Sequence, residues 1–538
     1  MKSEEKMKLG GLMPTVLGGC YFLSSMHFCP QIKHYLSYMG IILFFILISL
    51  ASAFIPQSVL VLVVLNLLAG LFLSFFQIAI ALLPNFKPKR IKLQTQPFVS
   101  ILVPAYNEPP TILMQTLDTL SHLKYKNFEV LIIDNNTKDA LVWKPVEVFA
   151  RTLGERFRFF HVDPLSGFKA GALNYLLERL NSKSEYTVVI DADYLVRPDF
   201  LATALPYFSD EKIALVQFPQ HYRNCTKENQ PIADEYRHFF GIYMNMANHL
   251  DCVPSTGTVS VYKSKILKEL GFRGEALTED ADLGLRIYGA GYKGIYVDRP
   301  VGYGLMPYDL EAYKHQKWRW AFGNAQSLKT LFLMFGKIPF KSWFGFLLHL
   351  TAWDHLNFLP FAVIAASVIV LLPFTPLTEQ HRYLLDTASV SLLVTLVSKR
   401  ILFWASLKNQ KHPFRRSWRA FLVHMGMTLV YSEAWIAFLF QTKSVFERTN
   451  KFILAKMPNL IKNTYKELIL GIWFLVGIAE AFFVGGRFTT KLTFFISSLV
   501  LLCIFYVHKK IFPTKEYSKK LLSLTDRKYK PYLMGNKA

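Results

Sequence analysis

Two carboxylates separated by one residue follow a short apolar segment near the middle of the chain. Residues 187–190 predict a buried strand, and Asp191 and Asp193 come directly after it. Hard cations such as Mg²⁺ or Mn²⁺ prefer carboxylate and phosphate oxygens, so these two aspartates could hold a cation against a diphosphate leaving group. The alternative interpretation is a solvated turn, because the D-x-D pattern also recurs by chance.

A second group of candidate residues lies about ninety positions further on. Thr278, Glu279 and Asp280 precede a helical pattern at 281–290, and we predict that all three are catalytic. Asp280 would be the general base that deprotonates an acceptor hydroxyl, so that displacement at an anomeric carbon proceeds with inversion. In the alternative interpretation Thr278 only caps a helix, whose dipole suits the two acids that follow.

The third group is the sequence Q-K-W-R-W. On a helix Gln316, Arg319 and Trp320 share one face, because residues three and four apart are neighbours. Arg319 could bind a pyrophosphate, Gln316 could donate a hydrogen bond, and Trp320 offers the flat apolar surface on which a sugar ring stacks. The alternative is an amphipathic helix at a membrane interface, where Trp and Arg are common.

Two further clusters follow predicted strands, and a lysine lies between them and the D-A-D sequence. Pro104, Tyr106 and Glu108 follow the first strand and Asp134 follows the second, at positions where a nucleoside would bind. Lys169 lies in the glycine-flanked segment 166–171, where the backbone can approach a phosphate closely. We predict that all five residues bind a nucleotide donor, together with Asp191, Gln316 and Arg319.

Alternating strands and helices must position these side chains. Apolar segments at 98–103, 128–133 and 187–190 each end in polar residues, and amphipathic helical patterns at 111–123 and 171–180 lie between them. This βαβ pattern predicts an α/β domain with a doubly wound sheet, whose ligand crevice lies at the carboxyl ends of the strands.

The composition of the chain indicates a membrane protein. Of its 538 residues, 52% are hydrophobic and only 18% are charged. The formal charge of +23 comes from Lys and Arg clustered beside apolar segments, without a basic face that carries interleaved aromatics, so a nucleic-acid partner is not expected. The five cysteines have no metal-binding spacing.

Seven apolar runs are long enough to cross a bilayer, and two of them precede the α/β region. They are 36–55, 58–83, 344–373, 384–406, 418–441, 467–485 and 490–508. Basic residues before the first run and after the second predict that the N-terminus and the α/β domain are cytoplasmic. Three full crossings between 344 and 441 would put the basic loop 442–466 outside, so we expect that 418–441, or the part of 344–373 with Asp354 and His355, re-enters or lies at the interface.

Taken in order, the motifs resemble those of the family-2 membrane glycosyltransferases, which include cellulose, hyaluronan and chitin synthases. Their D, D-x-D, T-E-D and Q-x-x-R-W motifs match Asp134, 191–193, 278–280 and 316–320. Longer segments, such as IDNNTKD at 133–139 and HVDPLSGFKAGALN at 161–174, resemble the bacterial β-1,3 and β-1,6 glucan synthases more than cellulose synthases.

The resemblance implies a GT-A type domain, UDP-glucose as donor, Mg²⁺ or Mn²⁺ as cofactor, and a glucan that passes through the membrane as it grows. It places Gly257 and Thr258 on the acceptor side, although the sequence S-T-G-T here departs from the usual H-G-T. It also implies a multi-pass protein of a bacterial inner membrane that contacts lipids and, in some systems, accessory export subunits. The linkage and the oligomeric state stay open.

These observations predict four regions: 1–97 with a transmembrane hairpin, the cytoplasmic domain 98–331, interfacial and transmembrane helices at 332–510 with the cytoplasmic loop 442–466, and a basic cytoplasmic tail at 511–538. The predicted function is inverting, processive transfer of glucose to a β-glucan, preferably β-1,3-linked. The alternatives are a non-processive enzyme that makes a glycolipid and a synthase of another β-linked polysaccharide. A transporter with a degenerate domain is a further alternative, since Lys399, Arg400 and Glu433 lie within apolar segments.

Overall fold

The computed structural model describes residues 30–353, 358–371, 377–440, 460–483 and 487–511. Some sequence predictions concern residues outside these ranges. These predictions concern residues 1–29 of the N-terminal region, the pair Asp354 and His355, positions 442–459 of the predicted cytoplasmic loop, and the predicted tail from residue 512 onward.

A seven-stranded sheet forms the centre of the α/β domain. Its strands, numbered along the chain, are β1 (Phe98–Ala105), β2 (Phe128–Asn135), β3 (Phe157–Val162), β4 (Ser184–Val189), β6 (Ile213–Gln217), β8 (Ser260–Lys263) and β9 (Lys293–Tyr296). Their order is β3-β2-β1-β4-β8-β6-β9. The first four are parallel, whereas β8 runs antiparallel to β4 and β6. A small sheet in the order β5-β10-β7 lies beside it, with β5 (Leu195–Val196), β7 (His221–Tyr222) and β10 (Gly302–Gly304).

Helices surround the sheet and extend from both ends of the domain. They are α1 (Pro30–Phe54), α2 (Pro56–Ala81), α3 (Pro110–Ser121), α4 (Ala140–Thr152), α5 (Phe168–Leu177), α6 (Phe200–Ala204), α7 (Gln230–His238), α8 (Asn245–His249), α9 (Ser264–Leu270), α10 (Glu279–Gly289), α11 (Leu310–Leu333), α12 (Phe340–Leu350), α13 (Phe358–Leu371), α14 (Glu379–Leu407), α15 (Pro413–Met425), α16 (Thr428–Phe440), α17 (Leu460–Phe483) and α18 (Phe488–Ile511). A 3₁₀ turn at Leu205–Tyr207 and a π-helical segment at Phe239–Met244 complete the described elements.

Both faces of the sheet are covered by helices, which explains why its strands read as continuous apolar runs. Successive side chains of a strand point to opposite faces, so Ile101 packs under α3 and α4 while Leu102 packs under α5 and α10. The predicted α/β class is therefore confirmed. The parallel strands β1, β2 and β4 end at one edge, where Ala105 pairs with Asp134, and the polar segments that follow them meet there.

Long apolar helices flank the domain on both sides in the sequence. Within the described ranges, three helices are long and apolar enough to cross a membrane: α2, α14 and α18 through Lys510. The α15–α16 pair adds a fourth if it counts as one bent span. The structure therefore agrees with membrane insertion of the regions before and after the α/β domain.

Two of the predicted apolar runs are not continuous helices. The run 418–441 is divided between α15 and α16, which are bent by 41°. The bend lies where α18 comes so close that a Cβ added to Gly426 would be 3.0 Å from the carbonyl group of Cys503. The run 344–373 is divided between α12 and α13, and Lys399 donates a hydrogen bond of 2.7 Å to the carbonyl of Ala352 just beyond α12.

Candidate active site

A cavity of about 460 Å³ opens at the edge of the sheet where β1, β2 and β4 end. The first residues of α10 and one face of α11 form its other walls. Except for Asp134 and Thr258, every residue that we predicted for the site lines this cavity: Pro104, Tyr106, Glu108, Lys169, Asp191, Asp193, Gly257, Thr278, Glu279, Asp280, Gln316, Arg319 and Trp320. Residues more than two hundred positions apart in the chain thus form a single site.

Asp134 lies behind the wall that we expected it to form. Its carboxylate accepts hydrogen bonds from the hydroxyl of Thr137 at 2.9 Å and from the ring of His161 at 3.2 Å. Burial raises the pKa of Asp134, although these two partners counteract the rise. The same Thr137 hydroxyl accepts a hydrogen bond from the backbone N–H of Asn107. Asp134 therefore holds the loop that carries Tyr106, and its neighbours Asn135 and Asn136 line the cavity instead.

The two aspartates of the D-A-D sequence have different neighbours. Asp191 accepts a 2.6 Å hydrogen bond from the amine of Lys169, and Asp193 accepts one of 2.8 Å from the backbone N–H of Leu305. Within the described ranges, no three His, Cys, Asp or Glu side chains gather into a cation site. The pair still fits a hard divalent cation, because both carboxylates line the cavity and a bound diphosphate would supply further oxygen ligands.

Lys169 connects the donor side of the cavity with the acidic residues at the start of α10. Its amine donates to Asp191 and, at 2.9 Å, to the carbonyl of Gly257, and it lies 3.7 Å from a carboxylate oxygen of Glu279. Burial by itself would lower the pKa of Lys169, but the carboxylates of Asp191 and Glu279 raise it. The amine therefore stays charged at neutral pH.

Gly257 and Thr258 precede β8, which pairs with β4 and so brings them beside Asp191. The Thr258 side chain is fully buried, and its hydroxyl accepts a hydrogen bond of 3.0 Å from the backbone N–H of Asp191. It lies behind the cavity wall, where it orients the D-A-D turn. Gly257 lines the cavity with φ of +78°, and a Cβ added there would lie 2.6 Å from the Asp280 carboxylate.

The T-E-D segment forms the N-terminus of α10. Thr278 occupies the N-cap position of α10, and Glu279 and Asp280 lie in its first turn, but the Thr278 side chain makes no capping hydrogen bond. Asp280 instead faces the cavity, and one of its carboxylate oxygens accepts a 2.8 Å hydrogen bond from the backbone N–H of Ala281. Burial and then the negative charge of Glu279 raise the pKa of Asp280 to about 7, although Lys169 opposes the rise. A carboxylate with this pKa can accept a proton from a hydroxyl near neutral pH.

The raised pKa of Asp280 predicts the pH dependence of turnover. A general base works only when ionised, so activity should be full above the raised pKa and fall as the pH drops through about 7. The measurement is kcat/KM across this range, with circular dichroism at each pH to show that the protein stays folded. A rate that stays level down to about pH 5, well below the raised pKa, would contradict the assignment.

The α11 helix presents Gln316, Arg319 and Trp320 to the cavity, as the helical spacing predicted. Gln316 accepts a hydrogen bond from the hydroxyl of Tyr236, and the ring of Trp320 meets the Tyr236 ring edge to face, with centroids 5.7 Å apart. The intervening Lys317 is also completely buried, and its amine lies 4.8 Å from the centroid of the Trp320 ring. Because α11 has a buried lysine and also lines the cavity, it is more than an element at a membrane surface.

The α11 helix also contacts the T-E-D segment through a glycine. A Cβ added to Gly323 would overlap the Thr278 side chain, so Gly323→Ala must separate α11 from the start of α10. Because catalysis depends on sub-ångström placement, we expect kcat to fall by about tenfold or more. The matched control is Gly471→Ala on α17, where an added Cβ has no neighbour within 4 Å. Equal kcat values for the two variants would show that this contact does not position the site.

Several residues of the cavity wall were not predicted from the sequence: Phe168, Tyr194, Gln220, Tyr222, Thr256 and Leu305. Most belong to turns without charge or helical periodicity. Phe168 offers one local signal, because it follows Gly167 and itself adopts a positive φ of 52°. Such a conformation is costly for a bulky residue and tends to occur at ligand sites.

Comparison with known proteins matches the region that contains this cavity to a known family. Residues 96–323 match the family model described as "Glycosyltransferase like family 2". The matched residues thus have the α/β fold and the family match of a GT-A type glycosyltransferase domain. Over part of its length the chain is also similar to cellulose synthase catalytic subunits, which confirms the family-level resemblance.

Similar proteins include a cellulose synthase subunit, a mannosyltransferase relative and a mannosyltransferase of known structure. The chain is 28% identical over 278 residues to a UDP-forming cellulose synthase catalytic subunit of Komagataeibacter sucrofermentans, covering 50% of this chain and 36% of the relative. It is 33% identical over 174 residues to a probable glucomannan 4-beta-mannosyltransferase of Arabidopsis thaliana, covering 31% and 32%. A mannosyltransferase structure from Pyrobaculum calidifontis, in complex with GDP-Man and Mn²⁺, is 20% identical, with coverage of 64% and 99% and a TM-score of 0.45. The chain thus spans about a third of the length of these curated relatives.

Proposed function

We propose that this protein transfers glucose from UDP-glucose to a growing β-glucan, with inversion and in a processive manner, at the cytoplasmic face of a bacterial inner membrane. The observation that carries the proposal is the position of Asp280. This carboxylate has a pKa raised to about 7, and it faces the same cavity as the D-A-D pair and the Q-x-x-R-W face of α11. In this proposal a base, a diphosphate site and a sugar-stacking surface would all contact the same donor and acceptor.

On the donor side, Pro104, Tyr106 and Glu108 would contact the nucleoside, with Asp134 acting from behind through the Thr137 hydroxyl. Lys169 and Arg319 would pair with the diphosphate, and Gln316 would donate a hydrogen bond to the donor. Asp191 and Asp193 would hold Mg²⁺ or Mn²⁺, which would supply positive charge against the leaving diphosphate.

On the acceptor side, Trp320 would stack against the terminal sugar, and the backbone at Gly257 would lie beside it. Asp280 would take the proton from the attacking hydroxyl. Burial and the charge of Glu279 keep the pKa of Asp280 raised, while Lys169 limits the rise. Attack from the side opposite the diphosphate produces inversion, because no protein nucleophile takes part in a single displacement.

Export of the polymer through the membrane helices is part of the proposal. Apolar helices border the α/β domain in the sequence, and α11 lies against α16 of the bent pair. The intramembrane lysine Lys399 donates to Tyr243 and Ala352, and Glu433 pairs with Lys466, so these charges have structural partners. They therefore lend the transporter alternative little support.

The donor and the linkage are tested together. The purified full-length protein is supplied separately with UDP-glucose, UDP-N-acetylglucosamine, UDP-galactose and GDP-mannose, each with Mg²⁺ or Mn²⁺, and UDP or GDP release is measured alongside product size. A glucose polymer that a β-1,3-glucanase digests would support the full proposal. A polymer from GDP-mannose would favour another β-linked polysaccharide, as the mannosyltransferase relative suggests. A lipid-soluble monoglycoside would favour the glycolipid alternative.

A further inference from the structure

Three consecutive acidic and aromatic residues on α7 bind three different partners. The residues Asp234, Glu235 and Tyr236 are all buried. Asp234 forms an ion pair with Arg416 of α15, Glu235 binds Lys317 of α11, and the Tyr236 hydroxyl donates to Gln316. Two of the three contacts thus fix α11, the helix that lines the cavity, while the first joins α7 to α15.

The ion pair between Glu235 and Lys317 is entirely enclosed. Its N–O distance is 2.6 Å, and the exposed fractions of the two side chains are 1% and 0%. The other contacts of the carboxylate are a 2.9 Å hydrogen bond from the Tyr313 hydroxyl and a 3.2 Å contact with the His424 ring. Burial would raise the pKa of Glu235, but Lys317 and His424 lower it to about 2, so the carboxylate is ionised.

The enclosed ion pair is a weak source of stability. Taking two charges out of water costs about as much free energy as their attraction returns, and a well-packed apolar pair is often equally stable. A buried ion pair can instead serve to fix one particular arrangement of the groups around it. The structure shows which groups those are.

The Lys317 ammonium lies among four aromatic rings. The ring centroids of Tyr236, Trp353, Trp320 and Tyr313 are 4.2, 4.6, 4.8 and 5.2 Å from its nitrogen. A desolvated cation at such distances attracts the ring faces. Trp320 is the member of this group that also lines the cavity, so the lysine holds the indole from one side and leaves the rest of it to a ligand.

From this arrangement we propose that Glu235 is a positioning residue for the acceptor subsite: it holds the Lys317 ammonium, which fixes the Trp320 ring in the cavity. The inference rests on the proposed function and extends it to the residues that support acceptor binding. None of the hydrogen bonds or ion pairs described for Lys169 and Asp191, which would hold the diphosphate and the cation, involves this cluster. The described link to the donor side is the hydrogen bond from Tyr236 to Gln316, so the main effect of losing Glu235 should fall on the acceptor.

The test compares Glu235→Gln with Asp234→Asn in the full-length protein. The second variant is a matched control, because Asp234 is the adjacent residue, is also buried, and pairs with α15 rather than with α11. Calorimetry would measure the binding of short β-glucan oligosaccharides and, separately, of UDP with Mg²⁺. We expect Glu235→Gln to weaken oligosaccharide binding by about tenfold, because the Lys317 ammonium is no longer held against the Trp320 ring and their cation–π contact is lost. UDP binding should change by less than about twofold. The control should change neither.

A double variant keeps the test decisive if a single substitution unfolds the protein. Glu235→Leu combined with Lys317→Met removes both charges together. Replacing both members of a buried ion pair with apolar residues of similar volume often leaves the stability of the protein unchanged. This variant should melt near the temperature of the unmodified protein and still bind oligosaccharide weakly, because the cation has gone. Normal oligosaccharide binding by this folded variant, or equal losses in Glu235→Gln and Asp234→Asn, would overturn the inference. Failure of the proposed function is distinguishable, since the unmodified protein would then release no UDP or GDP from any donor.

Discussion

Replacing Asp280 with asparagine is expected to lower kcat by about a thousandfold. The asparagine side chain has nearly the same shape but cannot accept a proton, and removal of a general base costs about 10²- to 10⁴-fold in rate. UDP binding should persist, because the cavity retains Lys169, Asp191 and Arg319. The measurement is sugar transfer and UDP release at saturating donor, made at a pH above 7 where the unmodified carboxylate is ionised.

The same variant should be at least as stable as the unmodified protein at high pH. The folded pKa of Asp280 is about 7, above the usual carboxyl value, so the ionised group opposes folding at higher pH. The gain in melting temperature from Asp280→Asn should therefore be largest above pH 7 and shrink as the pH falls below it. Asp282→Asn is the control, since Asp282 is buried and forms a 2.7 Å ion pair with Arg286. The Asp282→Asn variant should lose stability. Sugar transfer by the Asp280→Asn protein at an undiminished rate would contradict the role of Asp280 as general base.

Replacing Lys169 with methionine is expected to lower kcat/KM by about 10²- to 10³-fold. The change removes the charge that faces the diphosphate, together with the hydrogen bonds to Asp191 and the Gly257 carbonyl. Since Lys169 also lowers the pKa of Asp280, its loss should raise that pKa further. The acid side of the pH profile should consequently move to higher pH, which a loss of packing alone would not produce.

Lys138→Met is the matched control for this prediction. Lys138 also pairs with an aspartate, Asp163 at 2.6 Å, but its side chain is 80% exposed and does not line the cavity. Exposed pairs of this kind contribute little free energy, so activity and pH profile should both stay unchanged. An unshifted profile in Lys169→Met would mean that the lysine does not act on Asp280.

Much of the α/β fold could be predicted from local sequence. The apolar segments at 98–103 and 128–133 correspond to β1 and β2, and the helical pattern at 111–123 corresponds to α3. Parallel strands buried on both faces require such continuous runs, so the pattern is strong. The membrane helices were less predictable, because α15 and α16 form one apolar run that bends where α18 comes close to Gly426.

The sequence by itself determined which residue types the cavity contains. The residue types and order of the D-A-D, T-E-D and Q-x-x-R-W motifs indicated a cation, a base and a sugar platform, and residues 96–323 match the family that these motifs suggested. Their local spacing also predicted which face of α11 would line the cavity, because helical periodicity is a property of neighbouring residues.

Only the tertiary structure decided which groups support that chemistry. It placed Asp134 and Thr258 behind the cavity wall, opposed Gly323 to Thr278, and joined Glu235 to Lys317 across 82 positions of the chain. The raised pKa of Asp280 likewise comes from burial and from neighbours that the fold assembles. Such contacts depend on how strands and helices pack, whereas local periodicity describes each element separately.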